Sequence, residues 1–91
     1  MSRIVIAGAG GHAKVVIEAI RATNAFEIAG VIDPNPPSQN VLGVPWLGPD
    51  ESLPALQAQG IRCAAVALGS NRLRQTLGER LLWMGYQLPA I

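Results

Sequence analysis

The stretch RIVIAGAGGHAKVVIEAI, residues 3–20, decides the fold of this 91-residue chain. It begins with the β-branched run RIVIA, which predicts a strand that is buried on both faces. A glycine turn follows, and apolar residues then recur at spacings of three and four, which predicts an amphipathic helix over residues 12–22. A strand that leads through glycines into a helix is typical of the first unit of a parallel α/β sheet.

The rest of the chain continues this alternation of strand and helix. Further strands are predicted at residues 27–32, 41–47, 62–68 and 86–91, and further helices at residues 49–59 and 70–84. Residues 33–40, DPNPPSQN, predict an exposed loop. We therefore expect one α/β domain over residues 1–91, a Rossmann-like three-layer fold whose parallel sheet has about five strands in the order 3-2-1-4-5.

Composition excludes several classes of protein. With 49% hydrophobic and 14% charged residues, the chain is globular, and a net charge of +1 favours neither nucleic acid nor an anionic membrane as a partner. Cys63 is the single cysteine, so no internal disulfide and no cysteine-based zinc site is expected, and its apolar surroundings predict a buried thiol. No signal peptide and no apolar run of membrane-spanning length is present in these residues, so we expect a cytoplasmic location.

The three predicted helices begin in different ways. The second begins with GPDES, residues 48–52, which places Asp50 and Glu51 where a helix N-terminus favours negative charge. The first has no capping side chain and carries His12 and Lys14, whose charge has the wrong sign for that position. The third also begins with basic residues, in the sequence GSNRLR of residues 69–74.

The first and third helices follow the strands that should lie side by side at the centre of the sheet. Ligands of open α/β sheets bind at this switch point, beyond the carboxyl ends of the strands. An anion there would receive unpaired backbone N–H groups and the positive ends of both helix dipoles. The sequence therefore predicts a phosphate or diphosphate site.

The glycine turn fits the dinucleotide-binding pattern G-x-G-x-x-A through Gly8, Gly10 and Ala13, with Asp33 at the end of the second strand. The alternative is that these glycines only make a tight turn. Asp33 is expected to accept a hydrogen bond from a ribose or a base, or to form an Asx-turn that opens the loop, and the two roles are compatible. Asn35 is a weaker candidate in the same loop.

Other residues also allow two interpretations. His12 is either a surface histidine or a donor to a ligand phosphate. Lys14 is expected to be solvated, and the alternative is that it binds the ligand. Ser70, Asn71 and Arg72 either bind the ligand or only cap and flank their helix. Trp46 and Trp83 are expected to be packing residues.

Five segments together resemble a known family: GAGGHAKVVIEAI, GVIDPNP, VLGVPWLG, VALGSNRLRQ and GYQLPAI. They are similar to the N-terminal domain of bacterial sugar acetyltransferases of the PglD and NeuD type. The resemblance extends over essentially all 91 residues. Its most specific parts are G-x-G-G-H-A-K-V-V and the block that contains Gly69, Ser70, Asn71 and Arg74.

The resemblance implies that this domain holds the nucleotide of a UDP-linked amino sugar or of a similar activated sugar. It implies that Gly10, Gly11 and His12 line the crevice, that Asp33 and Asn35 approach the uridine, and that residues 69–72 close the other side. In the family, a C-terminal β-helix of hexapeptide repeats binds acetyl-CoA, supplies the catalytic histidine and assembles homotrimers. No such repeat occurs in these residues, so we expect binding without catalysis, and no cofactor or metal, in this portion.

Two other functions stay open at this point. The glycine pattern and Asp33 are also typical of the NAD(P)-binding domain of an oxidoreductase. Alternatively, the domain binds no ligand and acts as a docking or regulatory module. Binding of NAD would indicate the oxidoreductase domain, and a lack of affinity for any nucleotide would indicate the docking module.

Overall fold

The structure is a computed structural model that describes residues 1–91. Its sheet consists of β1 (Ser2–Ala7), β2 (Phe26–Ile32), β3 (Trp46–Gly48) and β4 (Cys63–Val66). All neighbouring strands are parallel, and their order across the sheet is β3-β2-β1-β4. This α/β architecture and the order of its four strands confirm the expected topology.

Three helices cover the sheet, and they are α1 (Gly11–Thr23), α2 (Leu53–Ala58) and α3 (Asn71–Trp83). A short 3₁₀ turn, Asp50–Ser52, precedes α2. Helix α2 therefore begins later than the sequence predicted. Pro54 has no N–H, and the ring of Pro54 would meet the carbonyl of Asp50 in a regular α-helix. None of the helices combines the length and the hydropathy that a membrane crossing needs.

Two hydrophobic clusters lie on opposite faces of the sheet. Ile4 and Ile6 of β1 pack with α1 on one face, where Ile17 and Ile20 are fully buried. Val5 and Ala7 point to the other face and pack with α2 and α3. Successive strand residues alternate between faces, so the continuous apolar run of β1 supplies both clusters.

The expected fifth strand is not formed. Gln87 makes one parallel bridge with Cys63, in which its N–H donates to the carbonyl of Arg62 at 2.8 Å and its carbonyl accepts from Ala64 at 2.9 Å. The next residue that would donate to β4 is Pro89, which has no N–H. The pairing therefore ends after one rung, although it begins at the predicted edge.

The predicted third strand is also shorter than expected. Val41 and Val44 pair with each other in a tight turn whose central residues, Leu42 and Gly43, have positive φ angles of 49° and 81°. Only the three residues that follow Pro45 pair with β2, at the edge of the sheet. The edge position expected for this proline-containing segment is confirmed.

Three side chains test the predicted packing. Cys63 is a free, buried cysteine, as expected. Trp46 is half-buried and packs against the first cluster. Trp83 is 92% exposed at the last residue of α3, so its predicted packing role is wrong.

Candidate functional site: two loops at the carboxyl edge of the sheet

The site begins with the loop between β1 and α1, which contains the glycines of the predicted motif. Gly8 is buried and has a φ of +122°, and a Cβ at this position would lie 2.4 Å from the carbonyl oxygen of Ala67. Its N–H donates to the carbonyl of Ile32 at 2.7 Å. Gly8 therefore makes the tight turn of the alternative interpretation, whereas its contact with a ligand stays a prediction.

Gly10 and Gly11 lie in a different environment from Gly8. Both are exposed, and a Cβ on either would meet no atom within 4 Å. Gly10 is the N-cap of α1 and makes no side-chain cap, and the first turn of the helix holds no acidic residue. The N–H groups of Gly10, Gly11 and His12 have no acceptor in the chain. Because a helix N-terminus is electropositive, these three groups can hold an anion.

Asp33 connects this loop to the loop that follows β2. Its Oδ2 accepts a hydrogen bond from the N–H of Ala9 at 2.9 Å, and its Oδ1 accepts one from the N–H of Asn35 at 2.9 Å. The second bond is the Asx-turn that the sequence allowed. The bond to Ala9 was not predicted, because every residue except proline has a backbone N–H and the sequence does not show which of them donates. Ligand contacts by Asp33 and by the exposed Asn35 stay predictions.

The backbone of Asp33 is held as firmly as its side chain. Its N–H donates to the carbonyl of Gly48 at 3.1 Å, and its carbonyl accepts from Nε1 of Trp46 at 3.0 Å. Trp46 is thus a site residue that sequence reasoning assigned only to packing. The signal that was available is the indole N–H, which needs an acceptor when the ring is partly buried.

The start of α3 lies at the same edge of the sheet, since β4 pairs in parallel with β1 and Val66 lies opposite Ala7. Here Ser70 caps the helix, accepting from the N–H of Leu73 at 3.4 Å. Asn71 Oδ1 accepts from the guanidinium of Arg74. The capping interpretation of Ser70 is therefore confirmed. Gly69 and Arg72 are exposed, and their ligand contacts, like those of Ser70 and Asn71, stay predictions.

A polar recess of about 410 Å³ lies beside the start of α1. Ala9 and Lys14 line one side, and residues 37–42 of the loop after β2 line the other. The structure brings α1 and α3 to one edge, but this recess faces the proline-containing loop and includes no residue of 69–72. Lys14 is exposed and lines the recess, whereas Gly10, Gly11 and His12 are not part of its lining. No cluster of His, Cys, Asp and Glu side chains could hold a metal ion.

Comparison with solved structures gives close matches to two acetyltransferases. A mutant of perosamine N-acetyltransferase from Caulobacter crescentus, in complex with CoA and GDP-perosamine, superposes with a TM-score of 0.88 and is 46% identical. The match covers 97% of this chain and 41% of that protein. The acetyltransferase domain of PglB from Neisseria gonorrhoeae, in complex with acetyl coenzyme A, gives a TM-score of 0.84 at 33% identity over 96% of this chain and 42% of that one.

A third match shows the fold alone. UDP-D-quinovosamine 4-dehydrogenase from Vibrio fischeri superposes with a TM-score of 0.75, but only 16% of the residues are identical over 96% of this chain and 75% of that one. The comparison with curated protein sequences found no similar protein. The chain spans about two fifths of the length of the acetyltransferases that it matches. Residues 3–81 match the family described as the PglD N-terminal domain, and the chain therefore belongs to this family.

Proposed function

We propose that this chain is the nucleotide-sugar-binding domain of an acetyl-CoA-dependent sugar acetyltransferase. The observation that carries the proposal is the start of α1, where three backbone N–H groups stand open beside exposed His12 and Lys14. A diphosphate would receive these N–H groups and the positive end of the helix dipole. The polar recess that Ala9 and Lys14 line, on either side of these three residues in the chain, has room for part of the nucleoside or the sugar.

The identity of the nucleotide is the finer part of the proposal. The resemblance implies a UDP-sugar, whereas a relative that is 46% identical was crystallised with GDP-perosamine. We propose that Gly10, Gly11 and His12 bind the diphosphate, with the start of α3, residues 69–72, at the opposite side. Gly8 and Asp33 support the loop, and Asn35 stands at the entrance to the proline-containing loop.

The properties of the intact protein are also proposals. Acetyl-CoA is the co-substrate we expect, since solved relatives contain CoA or acetyl coenzyme A, and the catalytic groups would lie outside these 91 residues. We expect the intact protein to transfer the acetyl group to nitrogen or oxygen of the sugar in bacterial glycan synthesis. The same resemblance implies a homotrimer, and the sequence pattern of these residues favours a cytoplasmic location; both are part of the proposal.

The test is a substitution that improves the helix and blocks the site. Gly10→Asp provides the missing cap and places a negative charge in the anion position, and the extended backbone of Gly10 (φ −83°) accepts any residue. We expect the free energy of unfolding to rise by about 0.5–1 kcal/mol. The affinity for UDP and GDP, measured by titration calorimetry, should fall by roughly tenfold or more, because two negative groups then compete for the same N–H groups.

Asn24→Asp is the matched control, because it adds the same charge at the opposite end of α1 in a position with a left-handed backbone that Asp tolerates. Its nucleotide affinity should match that of the wild type. Unchanged affinity of Gly10→Asp would contradict the proposal. Binding of NAD by the wild type, without UDP or GDP, would support the oxidoreductase domain, and binding of no nucleotide would support the docking module.

A further inference from the structure

We infer that Asp33 is a positioning residue: its carboxylate holds the glycine loop in the shape that leaves the N–H groups of α1 open, and it does not contact the ligand. The inference rests on the proposed function, because it concerns the same anion site. It assigns to Asp33 a role different from the ribose contact that the dinucleotide-binding pattern suggests.

The contacts of the carboxylate support this role. Each oxygen accepts a backbone N–H at 2.9 Å, one from Ala9 in the glycine loop and one from Asn35 in the loop after β2. Ala9 lies directly before the N-cap, so the bond fixes the peptide that leads into α1. Hydrogen bonds to an ionised acceptor are among the strong ones.

Asp33 can hold the loop because it is itself held. The carbonyl of Gly48 and the indole of Trp46 bind the two backbone polar groups of Asp33 at 3.1 and 3.0 Å. The edge strand β3 is thereby connected through one residue to the glycine loop. We call this arrangement of Trp46, Asp33 and Ala9 the clasp.

The clasp and a simple charge effect of Asp33 predict opposite changes in anion affinity. A carboxylate near a bound diphosphate repels it, so removal of the charge should strengthen anion binding if charge were all that mattered. The clasp has the opposite consequence, because a loop without it loses the shape that presents three N–H groups together. The sign of the change in affinity therefore distinguishes the two effects.

The experiment compares the wild-type 91-residue chain with Asp33→Asn, which keeps the shape of the side chain but turns an amide N–H₂ toward one of the two donors. The ligands are inorganic pyrophosphate, UDP and GDP, and the measurement is titration calorimetry. We expect all three affinities to fall by roughly tenfold or more, as loss of a charge-assisted hydrogen bond predicts. Glu27→Gln, at an exposed position near the opposite end of β2, should leave them unchanged.

Pyrophosphate makes the result decisive, because it has neither ribose nor base. If Asp33→Asn weakens UDP and GDP while pyrophosphate binds as before or more tightly, Asp33 contacts the nucleoside and the inference is wrong. Trp46→Phe is a second variant, which removes the indole donor and keeps the carboxylate. It should weaken pyrophosphate binding less than Asp33→Asn does, and an unchanged affinity would remove Trp46 from the clasp.

A second readout needs no ligand. The amide of Ala9, observed by NMR, should exchange faster and shift upfield in Asp33→Asn, while the amides that join β1 to β2 stay protected. An unchanged Ala9 amide overturns the clasp whatever the binding data show. Wild-type protein that binds none of the three ligands overturns the proposed function instead, and the Ala9 amide still decides whether the clasp exists.

Discussion

Gly8 and Gly10 stand two positions apart in one motif and meet opposite requirements. Gly8 is buried, with a positive φ and no room for a Cβ against the carbonyl of Ala67. Gly10 is exposed, with a φ that any residue adopts and open space around it. The first glycine is required by the fold, and the second leaves room for a ligand.

Alanine substitutions should separate these two requirements. Gly8→Ala should lower the free energy of unfolding by about 2–4 kcal/mol, because it adds backbone strain and a close contact. Gly10→Ala should change it by less than about 1 kcal/mol, which is the scale of an N-cap effect. Urea unfolding followed by circular dichroism measures both, and equal losses would contradict the separation.

At the scale of single residues, the sequence reveals some roles and hides others. The glycine spacing predicts the turn after β1, and the change from apolar to polar residues predicts that β2 ends at Asp33. The hydrogen bond from Ala9 to Asp33 joins residues that are 24 positions apart. Its donor is a backbone N–H, which almost every residue has, so the residue types do not predict it. The predicted packing of Trp83 is wrong, because the residue type alone does not show whether another element covers that face of the helix.

At the scale of elements, two prolines explain the largest differences from the predictions. Pro54 delays the start of α2, and Pro89 ends the fifth strand after one bridge. Both residues were visible in the sequence, but their effect depends on which neighbour needs the missing N–H. The starts of α1 and α3 were easier to predict, because caps are local: Ser70 caps α3, and α1 has no side-chain cap. The start of α2 differs from the prediction, because Asp50 and Glu51 lie in the 3₁₀ turn, and the first turn of α2 itself has no acidic residue and no side-chain cap.

Tyr86, which follows α3, connects that helix to α2. Its hydroxyl donates to the carbonyl of Leu53, its N–H donates to the carbonyl of Leu81 at 3.0 Å, and the residue is buried. Burial raises the pKa of the Tyr86 phenol above its ordinary value of 10.0, and a backbone interaction with Gln57 opposes part of this rise. The folded state therefore favours the protonated phenol more than the unfolded state does.

This raised pKa gives stability a defined pH dependence. Because the folded-state pKa exceeds the unfolded one, the contribution of the phenol is complete below about pH 10 and is lost as pH rises through the folded-state pKa. Tyr86 is the chain's one tyrosine, so tyrosinate absorbance follows it directly. Tyr86→Phe should lose about 0.5–1.5 kcal/mol near neutral pH and show a weaker decline in alkali. A parallel decline in both proteins would contradict this assignment.

At the scale of the whole molecule, stability comes from two clusters that share β1. Ile17 belongs to one cluster and Leu81 to the other, and both are 0% exposed. The sheet lies between them, so the two side chains have no contact partner in common within their clusters. Both faces therefore pack on the same central strand.

Truncation on either face should therefore affect the entire domain. Ile17→Ala and Leu81→Ala should each lower the free energy of unfolding by about 2–5 kcal/mol. A domain of this size has a total of about 5–14 kcal/mol, and separate sites add. The double variant should then lose about 4–10 kcal/mol, the sum of the two losses, so its urea midpoint in circular dichroism should lie well below that of either single variant. A double variant that melts in two separate steps would show instead that the faces unfold independently.

The prolines at the margins of the sheet have one more consequence. Pro45 and Pro49 flank β3 at one edge, and Pro89 lies beside β4 at the other, where Leu88 and Ile91 also approach Ala65 and Val66. Exposed strand edges are the template on which other chains add strands and grow into fibrils. A proline offers no donor for such growth, so we expect these three prolines to disfavour the addition of foreign strands, and hence amyloid-like assembly, at both edges of the sheet.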